Sequence, residues 1–333
     1  MTTRITLPQS IDRNRDNYVD MAKAIAILLM VIGHNEFAYW FGGLPRSVIF
    51  SFHMPLFFIF SGYMHKQKNI AVTLRNSAKS LLYPYLTFGV ASLLIKILLR
   101  DYPISLAPKV LISVNSAHAN SVWFAEGVTI GPVWFLVALF WGKLVFTILA
   151  DRLEKWRLLV VCLIISYSAV WLGWHFNLPF GILTGLSSLV FIALGYYIKN
   201  NGMSIFFLTV CIIIWPFALI SPLDMAGLYY DNYPISVIGA IGGTAVCFII
   251  SMMLTKIPYI RDFSFFGKYS LHVLCWHYII MAFFPYEVVT GKLYCTLFVI
   301  SPFIISYFTA KYDLFAFMFR PVGMTSANKL FTK

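Results

Sequence analysis

Apolar runs of about 18 to 25 residues recur along this chain, and no other feature restricts its possible folds as strongly. A run of that length crosses ~30 Å of hydrocarbon as a helix. Only helices and closed barrels satisfy the backbone in lipid, and these runs are too long for barrel strands. The pattern predicts ten transmembrane helices, over residues 19–38, 46–64, 80–99, 130–150, 157–174, 180–198, 203–221, 234–254, 267–284 and 293–311. Composition agrees. The chain is 60% hydrophobic and 11% charged, with about half the charge of an ordinary soluble domain. The expected fold is an all-α, polytopic membrane helical bundle.

The basic residues set the orientation. With a cytoplasmic N-terminus, the inner segments hold most of them, including Arg4, Arg13, Arg15, Lys66, Lys68, Arg75, Lys79, Arg152 and Arg320. The outer loops hold only Arg46, Arg100, Lys109 and Lys292. That bias is the positive-inside rule, and an even number of spans returns the C-terminus to the cytoplasm as well. The net charge of +12 is then a topology signal with some attraction to anionic membrane lipids, and it calls for no nucleic acid. No repeat or linker divides the chain, so a single membrane domain over 1–333 is expected, with a polar segment at 1–17 and a cytoplasmic tail at 312–333. No small-residue cleavage site follows the first apolar run, and no removable signal peptide is expected. The five cysteines lie singly in different apolar runs, which argues against disulfides and against a metal site. The outer loop at 100–129, with His118, Asn120 and Glu126, reads equally as a connector or as a lid.

Titratable side chains inside hydrocarbon are costly and therefore mark candidate functional positions. Lys23 and His34 are eleven residues apart, so they share a helix face about 16 Å apart along the axis. Asp20 joins that face one turn before Lys23. Asp20 and Lys23 can be an interface anchor pair or the inner end of a functional stripe. His34 can be a packing histidine or a catalytic one. The next helix runs the opposite way and brings His53 to a similar depth. Two residues on, Pro55 frees the Ser51 carbonyl and predicts a kink beside the imidazole. His34 and His53 are then expected to form two walls of one site. Arg75 and Lys79, one turn apart in the basic segment after helix 2, can hold an anion or can simply set topology. In the ninth run, His272 and His277 are five apart and point different ways, with His277 the deeper.

These residues, in this order, resemble the acyltransferase-3 family of integral-membrane O-acyltransferases. The resemblance rests on Lys23-x10-His34, on SFHMPLFFIFSGY and on LLYPYL. GPVWFL, FIALGYYI and FGKYSLHVLCWH support it further. It implies transfer of an acyl group, usually acetyl, from cytoplasmic acyl-CoA to a hydroxyl of a lipid-linked carbohydrate. The subgroup it looks closest to modifies O-antigen lipopolysaccharide sugars at the bacterial inner membrane. Given that reaction, the residues themselves suggest His34 as general base, with a transient acyl-imidazole on His34 as the variant, and His53 or His277 orienting the acceptor or stabilising the oxyanion. Lys23, Arg75, Lys79 and Arg15 would bind acyl-CoA, the donor substrate rather than a resident cofactor. Asp20, Pro55 and Ser61 would be structural or orienting positions. Many members carry Arg-x-x-Arg before helix 3, where this sequence has Arg75 and Lys79. Some members carry a C-terminal esterase-like domain with no counterpart here, so helices and short loops are expected to hold the whole site. The alternative reading is a proton-coupled transporter of a small solute or saccharide, in which the histidines relay protons.

Overall fold

A computed structural model describes residues 4–5, 17–113, 130–176, 178–221, 223–284 and 291–321. The described chain is a bundle of α-helices. α1 (Asn17–Gly33), α2 (Leu44–Tyr63), α3 (Ile70–Ser77), α4 (Tyr83–Arg100) and α5 (Ala107–Ser113) come from its first third. α6 (Trp134–Arg152), α7 (Lys155–Gly173), α8 (Ile182–Ser187), α9 (Leu189–Asn201) and α10 (Ile205–Ala218) follow. The last third supplies α11 (Tyr233–Leu254), α12 (Pro258–Arg261), α13 (Ser264–Lys268), α14 (Ser270–Phe283), α15 (Lys292–Lys311) and α16 (Ala316–Phe319). Among the described residues, extended structure is confined to two short antiparallel pairs. β1 (Arg4–Ile5) pairs with β2 (Met203–Ser204), and β3 (Leu223–Asp224) with β4 (Tyr229–Tyr230).

Each of the ten apolar runs is helical, but they are not ten equal spans. Among the described residues, six helices are long and apolar enough to cross a membrane, or seven if the bent pair α8–α9 counts as one. α10 and α14 are shorter, at 14 residues each. The departures have local causes. The chain bends 45° between α8 and α9, where the hydroxyls of Ser187 and Ser188 bond back to the Thr184 and Gly185 carbonyls and compete with the helical ladder. The third span runs from Ile70 to Arg100, ten residues earlier than its apolar run. A π turn at Ala78–Leu82 lies just before Pro84, where a proline ring would otherwise crowd the carbonyl four residues back. By contrast, α2 runs unbroken through Pro55.

The exterior is greasy and the interior carries the polarity. Leu98, Phe206, Ile220 and Leu293 are exposed, while Asp20, Lys23, His53 and His277 are buried. This inversion suits a chain whose solvent is lipid, and the protein is a multi-pass membrane protein. Asp20 and Lys23 pair at 2.9 Å inside the bundle. One close helix crossing joins α2 to α9. A Cβ placed on Gly62 would run into the Ile192 carbonyl, and one on Gly195 into the Ile59 carbonyl. Those two glycines sit in the FSGY and FIALGYY stretches, so two separate sequence signals are the two halves of one contact.

Candidate active site

The bundle contains a row of four cavities in which each cavity shares side chains with the next. The first, about 410 Å³, lies between the α2–α3 loop and the end of α6 and is lined by Gln67, Lys68, Asn69, Thr147, Asp151 and Arg152. The second, about 210 Å³, shares Lys68 with it and adds His65, Lys66 and Lys143. The third, also about 210 Å³, shares Ser61, Met64 and Lys143 with the second and is otherwise mostly apolar, walled by Ile27, Phe57, Leu136 and Leu271, with Lys23 on its side. The fourth, about 330 Å³, meets the third at Met30, Met54 and Leu274 and is lined by His34, Arg46, Phe50, His53, Trp134 and Asp224. Polarity alternates along the row, from a basic mouth through an apolar tube and a methionine–leucine collar to a chamber of histidines.

The chamber is assembled by the end of α1. The last four carbonyls of a helix have no intrahelical partner, and two of those of α1 hold site residues. The chain turns after Gly33, and His34 Nδ1 donates to the Met30 carbonyl at 2.8 Å. Arg46 Nη1 donates to the Gly33 carbonyl at 3.4 Å. Arg46 also lies over the Phe50 ring at 4.0 Å. The Phe50 ring centroid is 5.8 Å from that of His34 and 5.0 Å from that of His53. One aromatic side chain thus spaces the cation and both imidazoles. Asn35, buried just after His34, ties this corner to α15 through its Nδ2, which donates to the Cys295 carbonyl at 2.9 Å.

Hydrogen bonding fixes the tautomers. A carbonyl oxygen only accepts, so His34 carries its proton on Nδ1. His53 does the same, because its Nδ1 donates to the Ile49 carbonyl at 2.7 Å. In a neutral ring the other nitrogen, Nε2, then holds a lone pair. Both rings are therefore acceptors at Nε2. His53 can accept from a hydroxyl there, but it has no Nε2–H with which to stabilise an oxyanion.

The sequence-selected residues divide. His34 and His53 line one chamber, and Lys23 lines the tube on the same α1 stripe as His34. Ser61 stands where mouth and tube meet. His277 is fully buried behind His34, with ring centroids 5.6 Å apart, and neither of its ring nitrogens has a hydrogen-bond partner among the described residues. It is not part of the chamber wall. Pro55 is buried in α2 next to Met54 of the collar. Asp20 forms the Lys23 ion pair, and its backbone packs against Gly267. Arg75 is exposed and Lys79 half-buried on the α3 side, and neither lines any of the four cavities. His272 stacks on Phe319, away from the row. Arg15 and residues 114–129 of the outer loop, with His118, Asn120 and Glu126, lie outside the described residues.

Four lining residues escape a reading by motif. Arg46 carries a signal, as one of four basic residues at the sparsely charged end of the helices. Lys143 carries a stronger one, an ammonium inside the apolar stretch FLVALFWGKLVFTIL. Lys68 is hidden among the other lysines of its loop. Asp224 belongs to the β3–β4 hairpin that closes one side of the chamber. Its Oδ1 accepts from the Ala226 and Gly227 amides at 3.0 and 3.4 Å, the self-bonding turn of a DMAG sequence.

No solved structure matches the chain. Among curated proteins it is similar to Nodulation protein NolL of Mesorhizobium japonicum, with 26% identity over 174 residues. That match covers 48% of this chain and 43% of the relative. The acyltransferase-3 family model, described as an acyltransferase domain, matches residues 16–324, and across nearly its whole length the chain belongs to the acyltransferase-3 family.

Proposed function

We propose that the protein transfers an acyl group, acetyl in the first instance, from acyl-CoA to a hydroxyl of a lipid-linked cell-surface carbohydrate. O-antigen is the model acceptor. The observation that carries this reading is the row of cavities, which changes from a basic mouth to an apolar tube to a histidine chamber. Family membership favours acyl transfer over a carrier.

The residues divide the task by chemistry. A nucleotide bearing phosphates suits the mouth, where Lys68 and Arg152 line the first cavity with the Asp151 carboxylate and Lys66, Lys68 and Lys143 line the second. The pantetheine arm suits the tube, and its amides have Lys23 and Ser61 within the lining. The thioester then stands at the collar, facing the chamber. His34 Nε2 takes the proton of the acceptor hydroxyl as its oxygen attacks the thioester carbonyl. His53 Nε2 and the Asp224 carboxylate accept from other hydroxyls and orient the sugar. Phe50 and Trp134 offer apolar faces to its ring. In this reading the mouth faces the cytoplasm of a bacterial inner membrane and the chamber faces outward, so the nucleotide never crosses.

The test is O-acetylation of the native host's surface polysaccharide, read by NMR in cells lacking the protein and complemented with wild type or His34→Ala. The reading expects O-acetyl signals with the wild type and none with the variant at equal membrane level. Signals from both would remove His34 from the chemistry. If wild-type complementation restores none, and acetyl-CoA leaves the melting temperature of the purified protein unchanged, the transferase reading is overturned in favour of a carrier.

A further inference from the structure

Accepting the acyl-transfer reading, the geometry raises a question about the reaction itself. When a hydroxyl oxygen adds to a thioester carbonyl, the C=O π pair moves onto oxygen and an oxyanion forms. Its stabilisation is commonly the largest single catalytic contribution, and it needs hydrogen-bond donors already in place. The chamber's side-chain N–H groups belong to His34, His53, Arg46 and Trp134. Both imidazoles have spent their proton on backbone carbonyls, Met30 for His34 and Ile49 for His53. His277 is not in the wall. Arg46 is the remaining cation among the described lining residues, and it has no carboxylate partner among them.

We infer that Arg46 is the oxyanion-stabilising residue of the transfer reaction. A guanidinium has five N–H donors, and one hydrogen bond to the Gly33 carbonyl leaves the others available. That bond sets the guanidinium at the peptide directly preceding the general base, and the Phe50 face 4.0 Å below the guanidinium carbon holds its plane. Base and cation therefore hang from the last turn of one helix, with the same aromatic ring against both. The helix C-terminus, with its partial negative charge, favours a cation there. The step is balanced without further reactants. The acceptor O–H proton passes to His34 Nε2 as the C–O bond forms and the carbonyl oxygen becomes an oxyanion against Arg46. The oxyanion then re-forms C=O, the C–S bond breaks, and the leaving thiolate takes the proton back from His34.

The experiment compares wild type, Arg46→Met, Arg46→Lys and Trp134→Phe in proteoliposomes, with acetyl-CoA as donor and a glycolipid extract of the native host's membranes as acceptor. Arg46→Met keeps the aliphatic stem over Phe50 and removes every donor. Its kcat is expected to fall by about 10²–10³-fold. KM for acetyl-CoA and for the extract should change little, and the melting temperature should stay near wild type. Arg46→Lys should recover part of kcat, since a charge remains without the fork geometry. A raised acceptor KM at unchanged kcat would make Arg46 an acceptor-binding group and overturn the role. So would a loss of kcat in Trp134→Phe with none in Arg46→Met, which would move the role to the indole. If Arg46→Met alone melts early, the partial recovery of kcat by a well-folded Arg46→Lys decides, and a lysine variant as active as wild type or wholly inactive counts against the inference. A wild type that transfers no acetyl group overturns the parent reading and this role together.

Discussion

Gly62 of α2 and Gly195 of α9 lie in one helix crossing, each against the backbone of the other helix three residues before its partner glycine. Gly62 meets the Ile192 carbonyl and Gly195 the Ile59 carbonyl, with no room for a Cβ on either. Small residues that let backbones meet are a common device for packing helices in lipid, where there is no hydrophobic drive between them. This crossing fixes α2, which carries His53, Met54 and Ser61 into three consecutive cavities. Gly62→Ala or Gly195→Ala should each destabilise the protein by about 3 kcal/mol or more, because backbone rather than a movable side chain must yield. Melting temperature in one fixed detergent is the measurement, and an unchanged midpoint for both variants would show that the crossing is loose.

Donor binding should depend on the cavity lysines rather than on Arg75 of α3. Lys143→Ala and Lys68→Ala should each weaken acetyl-CoA binding by about 10-fold or more, the usual worth of a charged hydrogen bond. Arg75→Ala, exposed on the bundle surface, should stay close to wild type. Titration of the purified protein with acetyl-CoA at two salt concentrations separates the cases. A larger loss from Arg75→Ala would place the phosphates against α3 instead.

Acyl length should be set at the collar. Met30, Met54 and Leu274 are shared by tube and chamber, so an acyl group on a donor in the tube must pass or lodge among them. Shortening Met30 or Leu274 to Ala should shift preference from acetyl toward butyryl-CoA. A methylene in an apolar site commonly alters discrimination by about 10-fold or more. The ratio of the two transfer rates in one competition mixture is the readout. A ratio that stays at the wild-type value in both variants would place the length filter elsewhere.

Binding should also respond to pH through His65, which lies beyond the end of α2 at the mouth. Burial lowers its imidazole below the ordinary 6.5, and Lys143, Lys199 and Lys68 push the same way against the opposing Gln67 hydrogen bond. The folded protein thus resists protonating His65, and this group's contribution to stability is lost as pH falls below the unfolded imidazole value. A bound polyanion has the opposite preference and favours the charged ring. Acetyl-CoA affinity should therefore rise as pH drops from about 7.5 to about 5.5, and the rise should flatten in His65→Gln. Parallel pH profiles for the two proteins would remove His65 from the mouth's electrostatics.

Much of this architecture is legible in the sequence, and the parts that are not share one cause. The helical runs are visible because each long apolar stretch must satisfy its own backbone. The His34–His53 chamber follows from depth alone once two neighbouring helices are antiparallel. The break in α8–α9 is harder to see, because two serines between leucines do not end an apolar run and Ser187 and Ser188 act by bonding back to carbonyls. The basic mouth is hidden for another reason. Lys68 comes from a loop, Lys143 from α6 and Ser61 from α2, and only packing brings them together. Arg75 and Lys79 look like a clamp because one turn of helix separates them, but that spacing says nothing about which way the helix faces. Arg46 reads as a stray exception to the charge rule until the end of α1 is seen to hold it beside His34.

The collar has a further consequence. A protein that lets a donor reach from one face of a membrane toward the other risks short-circuiting the proton gradient across it, since protons hop readily along files of water and titratable groups. Met30, Met54 and Leu274 offer none of the groups such a relay needs. Thioether and isobutyl side chains neither titrate nor donate hydrogen bonds, and flexible methionines can close around whatever fills the gap. Where the apolar tube meets the histidine chamber, the side chains they share carry no proton to pass on.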